Sequence, residues 1–197
     1  MEIFDNFKKA LDRCTNPNKN TDKMDVMDAI KYYYKVMILP MIASIAIALI
    51  VGSVATLSPI STGAFGIVSA VFAAVSFLIL FPIGMLLSAA VIQLFSKMVF
   101  GIFKGNYSKT FTAMMFGTLP VVLFYWLTYI PILGMLILLF AIWSIYVTTV
   151  SLSKQQNVSI GKAFLGWLIP TVILAVIELV LMFVMFASLG LAGLMHL

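Results

Sequence analysis

Beyond Lys35 this chain carries six charged residues in 162 positions; the other thirteen of its nineteen charges precede Val36. A soluble domain is about 25% charged and about 45–50% apolar, whereas this chain is 10% charged and 63% hydrophobic. Too little polar surface remains to cover that much apolar side chain in water. The distribution divides the sequence into a polar N-terminal segment, 1–35, and a membrane body, 36–197. The expected fold class is all-α: a polytopic membrane protein with five transmembrane helices and an N-terminal amphipathic helix.

The spans follow from uncharged apolar runs long enough to cross a hydrocarbon core of about 30 Å. They fall at about 36–57, 67–95, 111–128, 132–152 and 163–194. Pro82, Pro120 and Pro170 lie inside the second, third and fifth spans and predict kinks, since proline lacks the amide that would bond to the carbonyl four residues earlier. Tyr129, Ile130 and Pro131 make a tight reversal between spans three and four.

Lysine and arginine fix the orientation. Seven lie in the N-terminal segment; Lys97, Lys104 and Lys109 follow span two, and Lys154 and Lys162 follow span four. The loop after span one, the turn after span three and the C-terminal tail have none. Basic residues resist translocation, so the expected location is the cell membrane with Met1 in the cytoplasm and Leu197 outside. Tyr32, Tyr33, Tyr34, Tyr107, Trp126 and Tyr129 stand near span ends, where amphipathic rings favour the headgroup level.

In the N-terminal segment Ile3, Phe4, Phe7, Ala10, Leu11 and Cys14 share one helical face, and Asn16, Pro17 and Asn18 end it. Such a helix either lies in the membrane interface or packs on the cytoplasmic ends of the spans. A second short helix is expected from near Asp22 toward the tyrosines. The first apolar run comes too late, behind too many acids, for a cleaved signal peptide.

Helix association in lipid depends on small residues that let backbones approach. Ser44, Ala48, Gly52 and Thr56 recur every four residues in span one, and Gly66, Ala70 and Ala74 do so at the start of span two. The two stripes are expected to face each other.

Glu178 is the one ionisable residue within an apolar span, near mid-bilayer if that helix is regular. A charge there costs about 2.5–3.5 kcal/mol on insertion scales, so the residue is expected to be protonated, paired or turned inward. Thr118 and Ser144 match it in depth. The three compose a candidate intramembrane polar site, or Glu178 is a neutral group bonding helices together. Asp22, Asp25 and Asp28, spaced by three, are interleaved with Lys23 and Lys31 and read as a solvated helix face rather than a metal site. His196 stands in the tail without ligand partners nearby in sequence, and lone Cys14 allows no intrachain disulfide. No metal or cofactor is expected. No nucleic-acid partner is expected either, because the basic residues sit at span ends and form no compact patch. The zincin, nucleophile-elbow, P-loop and dinucleotide motifs are missing, and no enzymatic activity is expected.

Several short motifs occur in a telling order. Thr15-Asn16-Pro17-Asn18-Lys19 and Ala29-Ile30-Lys31-Tyr32-Tyr33-Tyr34 precede span one. Phe103-Lys104-Gly105-Asn106-Tyr107-Ser108-Lys109-Thr110-Phe111 leads to Gly117-Thr118-Leu119-Pro120. Ile142-Trp143-Ser144 is followed by Val158-Ser159-Ile160-Gly161-Lys162-Ala163. In this order the chain resembles the Yip1-domain family of five-span membrane proteins, and most closely its small prokaryotic branch. The Asp-Leu-x-Gly-Pro motif and long N-terminal region of eukaryotic members are absent, so the resemblance does not extend to GTPase binding or vesicle traffic. It implies five-span topology. The function expected is non-enzymatic binding of membrane lipids, other membrane proteins or a second copy of the chain, organising or shaping the bilayer. A small channel or transporter with a polar site around Glu178 is the alternative.

Overall fold

The computed structural model describes residues 2–55, 63–130 and 132–194, with the side chains at 51–55, 63–71, 73–75, 77 and 185–194 left aside. The described residues are helical and include no strand; five of the helices are long and apolar enough to span a membrane.

Helix α1, Glu2–Thr15, has Glu2 and Asp5 in its first turn and Arg13 in its last, complementing the helix dipole. A 3₁₀ turn at Pro17–Lys19 ends it. Helix α2, Val26–Ala55, begins ten residues before the apolar run at Val36. Its start is set by Asp25, whose carboxylate accepts the Asp28 amide at 2.7 Å, so the short helix expected before span one and the span itself form one continuous helix. Helix α3, Gly63–Leu94, runs through Pro82 and leaves by a π turn, Phe95–Val99. There Ser96 O accepts both the Ile102 and Phe103 amides, and Gly101 takes φ +62° to reverse the chain.

Helix α4, Tyr107–Phe124, is capped by Asn106, whose side chain accepts the Lys109 amide. Two 3₁₀ turns, Tyr125–Tyr129 and Leu133–Leu136, carry the chain into α5, Ile137–Gln156. Asn157 closes α5 in the left-handed conformation at φ 54°, one of the few non-glycine types that tolerates it. Helix α6, Ile160–Leu194, follows.

Helix α4 is the most buried of the five long helices and α6 the least. Phe111, Met115 and Val122 of α4 meet Ala29, Tyr33 and Met37 of α2 and Met85 and Ala89 of α3. Phe116, Leu119 and Leu123 meet Val36 of α2 and Ala10 and Cys14 of α1. Ala113 joins Ile92 of α3, Phe103, Leu152 of α5 and Ala163 of α6. Helix α1 thus packs on α2 and α4 through Ala10 and Cys14, while Ile3 and Phe4 on the same stripe stay exposed. Helix α2 packs along α3 with Ser44 and Ala48 buried. The rest of the two small-residue stripes, Gly52, Thr56, Gly66, Ala70 and Ala74, lies outside the described side chains.

Buried polar groups gather at the end of the bundle where α3 and α5 stop and α4 and α6 start. Gln156 Nε2 donates to Thr110 Oγ1 at 2.7 Å, and Thr110 Oγ1 donates to Gln93 Oε1. Gln93 Nε2 donates to Gly105 O at 2.9 Å, and the Gly105 amide donates to Gln156 Oε1 at 2.6 Å. The N-terminal segment joins the same end. Asn20 Nδ2 donates to Ser151 Oγ at 2.9 Å, and Gln155 Nε2 donates to the carbonyls of Asn20 and Asp22.

Candidate functional site

Helix α6 packs closely over its first turns only. Ala163 is fully buried, and a Cβ added at Gly166 would stand 2.7 Å from the Phe103 ring. Pro170 removes the amide that would bond Gly166 O, and Ser96 Oγ donates to that carbonyl from across the interface. Trp167 Nε1 donates to Thr149 Oγ1 of α5 at 3.0 Å. Farther along, Val172 and 175–184 are exposed. Beside these exposed turns a cavity of about 350 Å³ lies between α6 and helices α3, α4 and α5.

The candidate residues Thr118, Ser144 and Glu178 all line this cavity. From α6 come Trp167, Thr171, Leu174, Ala175 and Glu178, at spacings of four, three, one and three, a single helical face. Met85, Ser88 and Ile92 of α3, Met114 of α4, and Ile145 and Thr148 of α5 complete the wall. Counting back from Glu178 along its own face would have found the α6 residues. The residues from α3 have no such signal, because their contribution depends on how α6 packs against α3.

Three of the five wall hydroxyls donate to helix carbonyls. Thr118 Oγ1 donates to Met115 O at 3.0 Å, Thr171 Oγ1 to Trp167 O at 2.7 Å, and Ser144 Oγ to Gly117 O. Ser144 crosses from α5 to α4 one residue from Phe116, whose carbonyl Pro120 deprives of its usual partner. Pro82 likewise frees Leu78 O, and the Tyr34 hydroxyl of α2 donates to it at 2.9 Å. The three prolines read from the sequence as kink points thus sit inside helices that continue through them, with interhelical hydroxyls at or beside the freed carbonyls.

No family model, curated protein or solved structure matches this chain.

A second, larger hollow of about 590 Å³ lies on the polar segment between Asp5, Lys8, Lys9, Asp12, Arg13, Lys19 and Asp22. Four of its charges form ion pairs: Arg13 with Asp22, and Lys19 with Asp12 at 3.7 Å. The Arg13 guanidinium also stacks over Phe116 at 4.3 Å and Tyr32 at 5.0 Å, so it fastens the segment to α2 and α4. The acids spaced by three are separately employed: Asp22 in that ion pair, Asp25 as the α2 cap, Asp28 beside Lys31 at 3.7 Å. Cys14 is buried, and burial pushes its thiol from 9.0 up to about 12. His196 lies outside the described residues.

Proposed function

We propose that this chain is a Yip1-like integral membrane protein of five spans, without enzymatic activity, that binds lipids or other membrane proteins and organises the bilayer around it. In this reading it resides in the cell membrane with its N-terminus in the cytoplasm and its C-terminus outside. One observation carries the proposal: large apolar side chains cover the outside of α2, α3, α5 and α6. Leu49, Ile79, Leu87, Leu139, Ile142, Val176 and Leu181 are each exposed by about half or more. Each Å² of such surface costs about 25 cal/mol in water and nothing in lipid. A continuous apolar surface of this kind marks contact with a membrane or a membrane partner. Alkaline carbonate washing of membranes tests it: the protein stays in the pellet, and release into the supernatant would refute the membrane reading.

Convergence of Glu178, Thr118 and Ser144 on one cavity favours a second reading, a small channel or transporter. A water-filled path needs hydroxyls free to turn toward its contents, and three of those in this wall donate to helix carbonyls instead. Lipid binding is therefore the better account. Ion or solute flux through purified protein in liposomes, lost on Glu178→Gln, would reverse that preference.

A further inference from the structure

We propose that the cavity between α6 and helices α3, α4 and α5 binds a small amphiphilic amine taken up from the membrane, with its nitrogen against the carboxyl of Glu178. The inference goes beyond the binding of lipids or membrane proteins by the outer faces, since it concerns one ligand in one internal site. Size gives the first limit. A volume of about 350 Å³ lies within the range of about 300–1,000 Å³ that small-molecule pockets occupy, and a bare cation would leave most of it unfilled. Among the described residues no three histidine, cysteine or carboxylate side chains gather, so the wall does not supply a metal cage.

The wall sets the chemistry. Met85, Ile92, Met114, Ile145 and Leu174 suit the apolar body of a guest. Polar groups enter from all four helices, and they differ in commitment. Thr118, Ser144 and Thr171 donate to helix carbonyls, whereas Ser88, Thr148 and Glu178 hold no hydrogen bond among the described residues. A guest that is hydrocarbon throughout, such as an acyl chain, would leave those three unsatisfied. Charge selects the head. Glu178 is the one ionisable side chain in the wall, and no lysine, arginine or histidine lines it. An anionic head would find no cation there and would face the carboxyl. An amine bonds a carboxyl whichever of the two holds the proton: its N–H donates to a carboxylate, or a carboxyl O–H donates to its nitrogen. It thereby supplies the partner that an acid in an apolar span requires. An alcohol bonds there too, without the assistance of charge. Thr171, Ala175 and Glu178 are exposed as well as lining the cavity, so a guest enters from the surrounding membrane.

Trp167 lines the cavity and serves as the reporter. The probe is the nitroxide TEMPO, a quencher of indole fluorescence, carrying an amine, an alcohol or a carboxylate at the same ring position. In full-length protein with Trp126→Phe and Trp143→Phe, in detergent micelles, the amine should quench Trp167 saturably. Its half-saturation should lie at least about tenfold below that of the carboxylate, the value of one charge-assisted hydrogen bond, with the alcohol between them. Glu178→Leu should erase that order, because each probe keeps its partition into the micelle and loses only the carboxyl. That variant puts an apolar residue in an apolar span and so leaves folding intact. Ala175→Phe, in protein that still elutes as a single species, should remove the saturable quenching by filling the cavity. The same order of heads in the Glu178→Leu protein overturns the proposal, since the amine is then held elsewhere. Quenching that rises without saturation overturns it as well, because the probe then meets Trp167 from the micelle. Saturable quenching that is equal for the three heads and reversed by added phospholipid also overturns it and assigns the cavity to a lipid tail.

Discussion

At Gly117 helices α4 and α5 touch backbone to backbone. A Cβ there would lie 1.9 Å from Thr148 Oγ1 and 2.7 Å from Thr148 Cα, and a backbone atom cannot swing aside. Gly117→Ala should therefore destabilise the fold by about 1–3 kcal/mol through overpacking. Gly84, inside α3, has nothing within 4 Å of the same added atom. Gly84→Ala should stabilise by about 0.5–1 kcal/mol, since helical glycine loses more backbone freedom on folding than alanine. Unfolding midpoints in mixed detergent micelles measure both, and shifts of the same sign would contradict the packing described. Cys14 offers a pH test. Its folded thiol titrates at about 12 against 9.0 when unfolded. The folded state thus favours the protonated form: the burial contributes fully below pH 9 and is lost as pH rises toward 12. Iodoacetamide at pH 9 should leave Cys14 unmodified in folded protein and alkylate it once the protein is denatured; rapid alkylation of folded protein would contradict its burial.

The helices themselves were legible in the sequence because each rests on a long uncharged run, and the three prolines were legible as points where a carbonyl loses its partner. What answers those carbonyls was not. Tyr34 and Ser96 are 44 and 70 residues from the carbonyls they reach, and no local pattern encodes such a pairing. The α2 start was missed as part of the span because charges at Asp28, Lys31 and Lys35 interrupt the apolar run while leaving helix propensity intact. Of the candidate site, the three polar residues could be matched by depth; the cavity around them depends on how α6 packs beside α3, α4 and α5, which composition does not record. The proline arrangement makes an element-scale prediction. Ser96→Ala removes the donor to Gly166 O and should cost about 1 kcal/mol. Pro170→Ala restores an amide to bond that carbonyl within α6, so Ser96→Ala in that background should cost much less. A double-mutant cycle in mixed micelles reads the coupling, and strict additivity would show that Ser96 does not serve the proline.

Across the whole molecule, the basic residues and the buried amide network gather at one end of the bundle. The loop from α3 to α4, the loop from α5 to α6 and the N-terminal segment come together through Gln93, Gly105, Thr110, Gln156, Asn20 and Ser151. Those same stretches hold Lys97, Lys104, Lys109, Lys154 and Lys162. The turn between α4 and α5, at the other end, carries Thr128 and Ile132 and no charge. So the basic residues that alternate along the sequence are neighbours in space, and the orientation rule acts on one face of a folded object. Moving such a face across the membrane would take all five lysines and the buried amide network with it. In a Cys14→Ala background, a membrane-impermeant thiol reagent applied to intact cells should label Thr128→Cys, which is exposed on the uncharged turn, and should spare Lys154→Cys until the membrane is permeabilised. Labelling of Lys154→Cys from outside would invert the proposed orientation. Equal labelling of both sites before permeabilisation would mean that the two ends are not separated by a bilayer, and the five-span reading would fall with it.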